Sequence, residues 1–121
     1  MIEIALLLLV LLHIKHFLVD FVFQTQDELE HKGDHLDWRG MTHSLKHGAA
    51  TFLILLAVIG FYHFYIFFLA LLDIVLHYYI DFIKKKYSPS DVSVARYWHF
   101  LGLDQLAHQL TYILIVTFTV L

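Results

Sequence analysis

The hexapeptide HFLVDF at residues 16–21 recurs in part 61 residues later as HYYIDF at residues 77–82, with the His, the Asp and the final Phe retained. The same offset places His43 on Asp104 and His47 on His108. One ungapped shift therefore relates polar positions on two separate segments, which is rare by chance in a chain that is 60% apolar. The pattern predicts two tandem copies of a two-helix unit, at about residues 1–60 and 62–121, and each copy contributes a His-x3-Asp pair and a second pair that ends in His.

The composition of the 121-residue chain is typical of a membrane protein. Aromatic residues make up 17% of it, charged residues make up only 16%, and the mean hydropathy is +0.69. These values favour lipid as the solvent for most of the surface. The chain has no cysteine, so disulfides and thiolate metal sites are excluded. A net charge of -3 gives no electrostatic basis for binding nucleic acid.

Four segments of the chain are predicted to be helices, at about residues 2–26, 41–62, 64–86 and 104–121. At about 1.5 Å per residue, the first three are long enough to cross a hydrocarbon layer of roughly 30 Å. The fourth is short for a span unless part of the preceding connection extends it. We therefore expect an all-α, integral membrane four-helix bundle in a single membrane domain.

The connections between these segments predict the topology. Residues 27–39 are expected to form a charged loop. Residues 87–103 are expected to form a second polar connection, in which residues 92–101 fit a short amphipathic helix along the membrane interface. All eight Lys and Arg lie toward these two connections, and none lies near the termini or the link at residues 60–64. The positive-inside rule therefore predicts that both polar loops face the cytoplasm and both termini face out.

Each predicted helix carries two ionisable side chains one turn apart on the same face. Imidazole and carboxylate groups at this spacing can bind one metal ion together, and four helices that present such pairs inward can bind two. The candidate ligands are His16, Asp20, His43, His47, His77, Asp81, Asp104 and His108. This donor set predicts two divalent ions of a zinc, manganese or iron type. The repeat assigns one ion to His16, Asp20, His43 and His47 and the other to His77, Asp81, Asp104 and His108.

Further polar residues lie beside the predicted ligands. Asp73 precedes His77 by one turn, and it fits either a partner that orients this imidazole or an interhelical hydrogen bond. Lys84 continues the ligand stripe of its helix, whereas its neighbours Lys85 and Lys86 are more typical of contact with anionic lipid. The residues expected to contact an anionic substrate or a water molecule are Gln24, Lys32, Lys84 and Gln105.

The order and spacing of these residues resemble a bacterial and phage membrane family known as domain of unknown function 3307. The shared features are His16-x3-Asp20-Phe21-x2-Gln24, Lys32, His43-x3-His47, His77-x3-Asp81-x2-Lys84 and Asp104-Gln105-x2-His108. They cover nearly the whole chain in the same order. The resemblance implies a multi-pass protein of the bacterial inner membrane, and it implies no particular activity.

A looser resemblance connects RGMTHSL at residues 39–45 with the His-Arg-Gly-x-Thr-His-Ser signature of membrane-bound metal-dependent hydrolases. Trp38 stands where that signature has its leading His, so one ligand of that family is missing from this chain. The resemblance implies a bound divalent metal and a hydrolytic reaction.

The first functional hypothesis is a dinuclear metal-dependent hydrolase that acts on a phosphate ester or another lipid-derived substrate at the cytoplasmic leaflet. Two ions about 3.5–4 Å apart would activate a water molecule and polarise the scissile group. The alternatives are a protein that handles metal ions or protons without catalysis, a membrane di-iron oxidoreductase, and a structural His–Asp network. Transport ranks lower, because Glu3 is the only acidic residue toward the outer end. The expected partners are membrane lipid, an anionic substrate and a second copy in a homodimer.

Overall fold

The computed structural model describes residues 1–121, which form helices joined by turns, with no β-strand. The helices are α1 (Ile2–Phe17), α2 (Gln26–His31), α3 (Trp38–Ile59), α4 (Tyr65–Tyr87) and α5 (Ala95–Val120). α1 continues without a break into a π-helical segment, Leu18–Val22, in which the N–H of Phe23 donates to the carbonyl oxygen of Leu18 at 2.8 Å. The predicted all-α class is confirmed.

Three helical stretches are long and apolar enough to cross a membrane, namely Ile2–Val22, Trp38–Ile59 and Tyr65–Tyr87. In the most apolar stretch of each helix, only 28%, 33% and 39% of the residues, respectively, are buried within the protein. Most residues of these stretches are therefore available for contact with lipid. Large apolar side chains such as Phe67 and Phe68 are accordingly 60% exposed. The presence of membrane-length helices is therefore confirmed.

The fourth segment is longer than the 18 residues expected at 104–121. α5 runs unbroken over 26 residues from Ala95 to Val120, so most of the stretch expected as a separate interfacial helix extends it instead. The continuation is physically reasonable because residues 95–103 contain no Pro, and a single Gly such as Gly102 costs a helix only about 1 kcal/mol. The prediction of a separate helix at residues 92–101 was wrong.

The first polar connection also contains more structure than the charged loop that was predicted. Thr25 and Glu28 form a capping box for α2, in which the Thr25 hydroxyl accepts from the Glu28 N–H at 3.2 Å and the Glu28 carboxylate accepts from the Thr25 N–H at 3.0 Å. Asp37 caps α3 by accepting from the Arg39 N–H at 2.9 Å. These caps begin α2 inside the expected loop and begin α3 three residues before Met41.

Each of the four long helices packs against two others. α1 contacts α3 and α5, and α4 contacts the same two helices. Because the chain direction alternates, one end of the molecule carries α2 and the two polar connections, and the other carries both termini and the link at residues 60–64. We call these the loop end and the terminal end.

Buried apolar residues occupy the half of the molecule at the terminal end. The cluster consists of Leu8, Leu12, Leu55, Ile66, Leu69, Tyr112, Ile115 and Val116. The buried His, Asp and Lys side chains lie on the loop side of this cluster. The fold therefore has an apolar half and a half with a polar interior, and the candidate site lies in the second.

α3 and α4 approach each other closely at Gly48. A Cβ atom added at Gly48 would overlap the side chain of Ile74 and would lie 3.1 Å from the carbonyl oxygen of Ala70. A position without a side chain therefore allows this close approach of the two helices. The same approach brings the ring of His47, the neighbour of Gly48, to 3.5 Å between centroids from the ring of His77, one turn beyond Ile74.

Candidate metal centre

The eight predicted ligands all lie in the polar half of the molecule. Their side chains come from α1 and its π-helical segment, α3, α4 and α5, so all four long helices contribute. His43, His47 and His77 are completely buried. The sequence offset and the one-turn spacing thus select side chains that the fold brings into one cluster.

Asp20 lies at the centre of the first group of ligands. Its Oδ1 atom is 2.8 Å from His43 Nε2 and 2.9 Å from His47 Nε2. The Nε2 atom of His77 is 3.6 Å from the same oxygen. One ligand atom from each of these four residues lies within 4.8 Å of every other, which fits a four-coordinate site with three imidazoles and one carboxylate. Asp20 lies in the π-helical segment, a geometry that is frequent at functional sites.

A second group of ligands adjoins the first. His77 Nε2 is 3.2 Å from Asp81 Oδ2, and His108 Nε2 is 3.6 Å from Asp81 Oδ1. These three residues also satisfy the spacing of a metal site. His77 belongs to both groups, and since one nitrogen lone pair binds one ion, it can serve only one of two ions. The groups can therefore hold one ion, or two ions of which one lacks His77.

The remaining predicted ligands border these groups. His16 Nε2 lies 3.2 Å from Asp20 Oδ2, and its Nδ1 is 2.8 Å from the hydroxyl of Tyr112. Asp104 Oδ1 is buried without a hydrogen-bond partner. Neither His16 nor Asp104 is part of the two groups that meet the spacing of a metal site.

The hydrogen bonds around the cluster test whether a cation fits. His108 Nδ1 donates to the carbonyl oxygen of Asp104 at 2.8 Å, which leaves a lone pair on Nε2, and this atom is buried without a hydrogen-bond partner. That tautomer is the one a metal ligand requires. His43 Nε2 and His77 Nε2 lie 3.3 Å apart and both face Asp20 Oδ1. A divalent cation fits a donor set in which imidazole nitrogens and carboxylates converge in this way.

His47 has a different environment on the far side of its ring. Lys15 Nζ lies 3.2 Å from His47 Nδ1 and donates to it, so the ring proton lies on Nε2 and faces Asp20. For His47 to bind an ion through Nε2, the contact with Lys15 must change. Lys15 therefore belongs to the site, although its position in the sequence was used only to predict the topology.

Asp73 makes the interhelical contact that was one of its two expected roles. Its Oδ2 accepts hydrogen bonds from Lys15 Nζ at 2.8 Å and from the hydroxyl of Thr51. The other expected role, a partner for His77, is not observed, because His77 Nδ1 has no hydrogen-bond partner. The sequence did contain one indication that Lys15 has a role, namely its position in an apolar helix, where ionisable residues usually have a function.

Glu28 on α2 is a second residue that the sequence analysis missed. It is 4% exposed, forms an ion pair with Lys46, and its Oε2 lies 3.6 Å from His43 Nδ1. Burial favours the neutral carboxyl, but hydrogen bonds from Lys46 and from the N–H of Thr25 outweigh it and hold the pKa of Glu28 below its usual value. The Thr25-x2-Glu28 capping box was the sequence signal that could have located α2 and this residue.

A cavity of about 240 Å³ opens beside the cluster at the loop end. Its walls include Asp20 and Asp81 together with all four residues predicted to contact a substrate or water, Gln24, Lys32, Lys84 and Gln105. Lys32 Nζ is 2.8 Å from Asp81 Oδ2, and Gln105 Oε1 is 3.2 Å from His16 Nε2. Three of the predicted ligands, Asp20, Asp81 and Asp104, thus share one cavity with the predicted substrate contacts.

The family model described as protein of unknown function (DUF3307) matches residues 7–121. The chain belongs to this family. The match includes every residue of the candidate metal centre and confirms the family resemblance seen in the sequence. No curated protein and no solved structure matches the chain. The looser resemblance to metal-dependent hydrolases stays a prediction.

Proposed function

We propose that this protein is an integral membrane metalloenzyme of the bacterial inner membrane that hydrolyses a phosphate ester or another anionic, lipid-derived substrate. The convergence of Asp20, His43 and His47 beside a lysine-lined cavity is the observation that carries this proposal. The four long helices would form one bundle of two tandem two-helix repeats, about residues 1–60 and 62–121. The loop end would face the cytoplasm and both termini would face out.

Two groups of side chains would hold divalent ions of a zinc, manganese or iron type. Asp20, His43 and His47 would hold one ion, and Asp81 and His108 would hold the other, with His77 assigned to one of them. Bound ions supply Lewis-acid polarisation and make a water molecule nucleophilic at neutral pH. His16, which borders the first group, would complete the coordination.

The cavity residues would bind and orient the substrate. Lys32 and Lys84 place two ammonium groups in the cavity wall, where they attract a phosphate or carboxylate. Lys32 contacts Asp81 in the present structure, and this contact must loosen for its ammonium group to reach a substrate. Gln105 bonds both His16 and Asp104 and would keep their side chains oriented during binding.

The apolar half of the molecule supports an enzyme over an ion or proton carrier. A carrier needs polar groups on both sides of its site, whereas here the terminal side is filled by the cluster that includes Leu8, Leu12 and Ile115. The only acidic residue near that end, Glu3, is exposed on the outer surface of α1. The cavity beside the metal centre opens at the loop end, where a substrate from the cytoplasmic leaflet would approach.

The proposal is tested by metal content per chain, measured by elemental analysis on protein purified without a His tag. We expect about two equivalents in the wild type and less in Asp20→Ala and Asp81→Ala. Asp34→Ala is the matched control, because Asp34 is exposed and belongs to no group that meets the spacing of a metal site. No bound metal in folded, metal-supplemented wild type would overturn the proposal.

The reaction is tested on the same variants by release of phosphate from phosphate monoesters and phospholipids. We expect turnover by the wild type and by Asp34→Ala, with a loss of at least 100-fold in Asp20→Ala and Asp81→Ala. A metal-loaded wild type that hydrolyses none of these substrates would contradict the hydrolase assignment. Visible absorption from bound iron, with oxygen consumption, would favour the di-iron oxidoreductase instead.

A further inference from the structure

An apolar groove of about 310 Å³ lies between α4 and α5 on the outer surface of the protein. Its apolar walls come from Ile80, Ile83, Phe100, Leu103 and Ala107, and Lys84 and Asp104 complete it. Ile83 is 50% exposed and Leu103 is 62% exposed, so the groove faces the surrounding lipid. It is large enough for part of a hydrocarbon chain.

The groove and the polar cavity meet at Lys84 and Asp104, which line both. A molecule that spans the junction would therefore have one apolar part between the helices and one polar part beside the candidate metal centre. This continuity distinguishes the groove from the apolar grooves on the α3–α4 face, whose walls do not include any residue of the polar cavity.

The charged side chains of the polar cavity indicate which polar group such a molecule would carry. Three lysines line the cavity beside the carboxylates of Asp20, Asp81 and Asp104. Lys32 is paired with Asp81, whereas Lys84 and Lys85 form no ion pair and can attract an anionic group. Asp104 is 7% exposed, and its Oδ1 has no hydrogen-bond partner in the protein. A buried carboxylate oxygen without a donor is costly, and a ligand hydroxyl at the junction would satisfy it.

We propose that this junction binds an anionic phospholipid with a hydroxyl-bearing headgroup, such as a phosphatidylglycerol. One acyl chain lies in the groove between α4 and α5, the phosphate lies near Lys84, and a headgroup hydroxyl donates to Asp104. The lipid reaches the cavity sideways from the bilayer. As a statement about the substrate class, this inference rests on the proposed function. Binding of the lipid by itself requires no catalysis.

The groove is tested by filling it with a larger side chain. In Leu103→Trp the indole would occupy the groove, whereas in Leu110→Trp, the matched control, it would lie on an exposed part of α5 outside the groove. Ile83→Trp, on the opposite wall, is a second variant in case Leu103→Trp does not fold. A wild-type helical circular dichroism spectrum and a cooperative thermal transition serve as the folding check for each variant.

The measurement is lipid retention by native mass spectrometry after extraction from bilayers that contain equal amounts of phosphatidylglycerol and phosphatidylcholine. We expect one phosphatidylglycerol per chain in the wild type and in Leu110→Trp, and at least a tenfold loss in Leu103→Trp or Ile83→Trp. We also expect loss in Lys84→Ala, while inorganic phosphate alone does not displace the lipid.

Three outcomes would overturn the inference. The first is equal retention of the two lipids, and the second is unchanged lipid retention in both groove-filling variants. The third is a change from dimer to monomer in those variants without loss of lipid, which would assign the groove to contact with a second copy of the chain. Hydrolysis of short-chain soluble phosphate esters separates the two proposals. If the protein hydrolyses these esters but does not retain phosphatidylglycerol selectively, only the lipid-site inference is wrong. If protein without bound metal retains phosphatidylglycerol selectively, the lipid site stands and the proposed function is wrong.

Discussion

Lys15 on α1 and Asp73 on α4 form an ion pair of 2.8 Å, with side chains that are 3% and 1% exposed. The pair lies between the apolar half of the molecule and the metal centre. Lys15 Nζ also donates to His47 Nδ1, while Asp73 accepts from Thr51. Three of the long helices are therefore tied together directly behind a candidate ligand.

Removing one member of this pair should be strongly destabilising. In Lys15→Met the Asp73 carboxylate would lose its charged partner, and breaking a buried ion pair typically costs about 3–5 kcal/mol. The double variant Lys15→Met/Asp73→Leu should recover most of this loss, because no unpaired charge is left. Unfolding in mixed detergent micelles measures the difference. A double variant less stable than Lys15→Met would contradict this account.

The close approach at Gly48 predicts a second, sterically caused loss of stability. Gly48→Ala introduces a Cβ into Ile74 and near the Ala70 carbonyl, and overpacking of this kind typically costs about 1–3 kcal/mol. Gly102→Ala is the matched control, because a Cβ there meets nothing within 4 Å. Thermal unfolding should therefore separate the two variants. Equal melting temperatures would show that α3 and α4 do not depend on this contact.

The class of fold could be predicted from the sequence because it depends on bulk hydropathy and helix length. The ends of the helices were harder to predict, since they depend on local caps such as the Thr25–Glu28 box and, for α5, on the lack of a strong helix breaker before residue 104. Tertiary packing decides how far each helix extends into a polar connection.

The same distinction applies to the candidate site. The convergence of His43 and His47 on Asp20 was predictable, because residues one turn apart share a helix face. The approach of His77 to the same carboxylate was not predicted, since the repeat assigns His77 to the other ion. The partner of Lys15 was not predictable, since Asp73 lies 58 residues away and the rotation of each helix about its axis is decided by packing. Glu28 was hidden for the same reason, because its contact with His43 requires α2 to fold back onto α3.

The position of His77 in both ligand groups predicts how metal content responds to single substitutions. His47→Ala and His108→Ala each remove a ligand from one group, so each should lower the content by about one equivalent. His77 can bind only one of two ions, so His77→Ala should also lower the content by about one equivalent. His63→Ala, in the exposed link at residues 60–64, is the control. Loss of metal in His47→Ala with unchanged content in His108→Ala would indicate a single ion.

Glu28 predicts an effect on metal affinity from a residue that is not a ligand. Its carboxylate lies 3.6 Å from His43 Nδ1 and is held by Lys46 and the Thr25 N–H. Glu28→Gln removes the negative charge that favours a proton on Nδ1 of His43. In that tautomer the Nε2 atom of His43 is free to bind an ion. Loss of such a supporting carboxylate typically lowers metal affinity by about 10–100-fold. Competition with a zinc chelator should show this shift with little change in stoichiometry.

Asp34→Asn is the matched control for this experiment. Asp34 lies in the turn after α2, is exposed, and belongs to no group that meets the spacing of a metal site. The variant should therefore bind zinc as the wild type does. If both variants lose affinity equally, the effect comes from the net charge of this connection, and the direct role of Glu28 in orienting His43 is wrong. If Glu28→Gln alone loses affinity, α2 supports the metal centre as well as covering it.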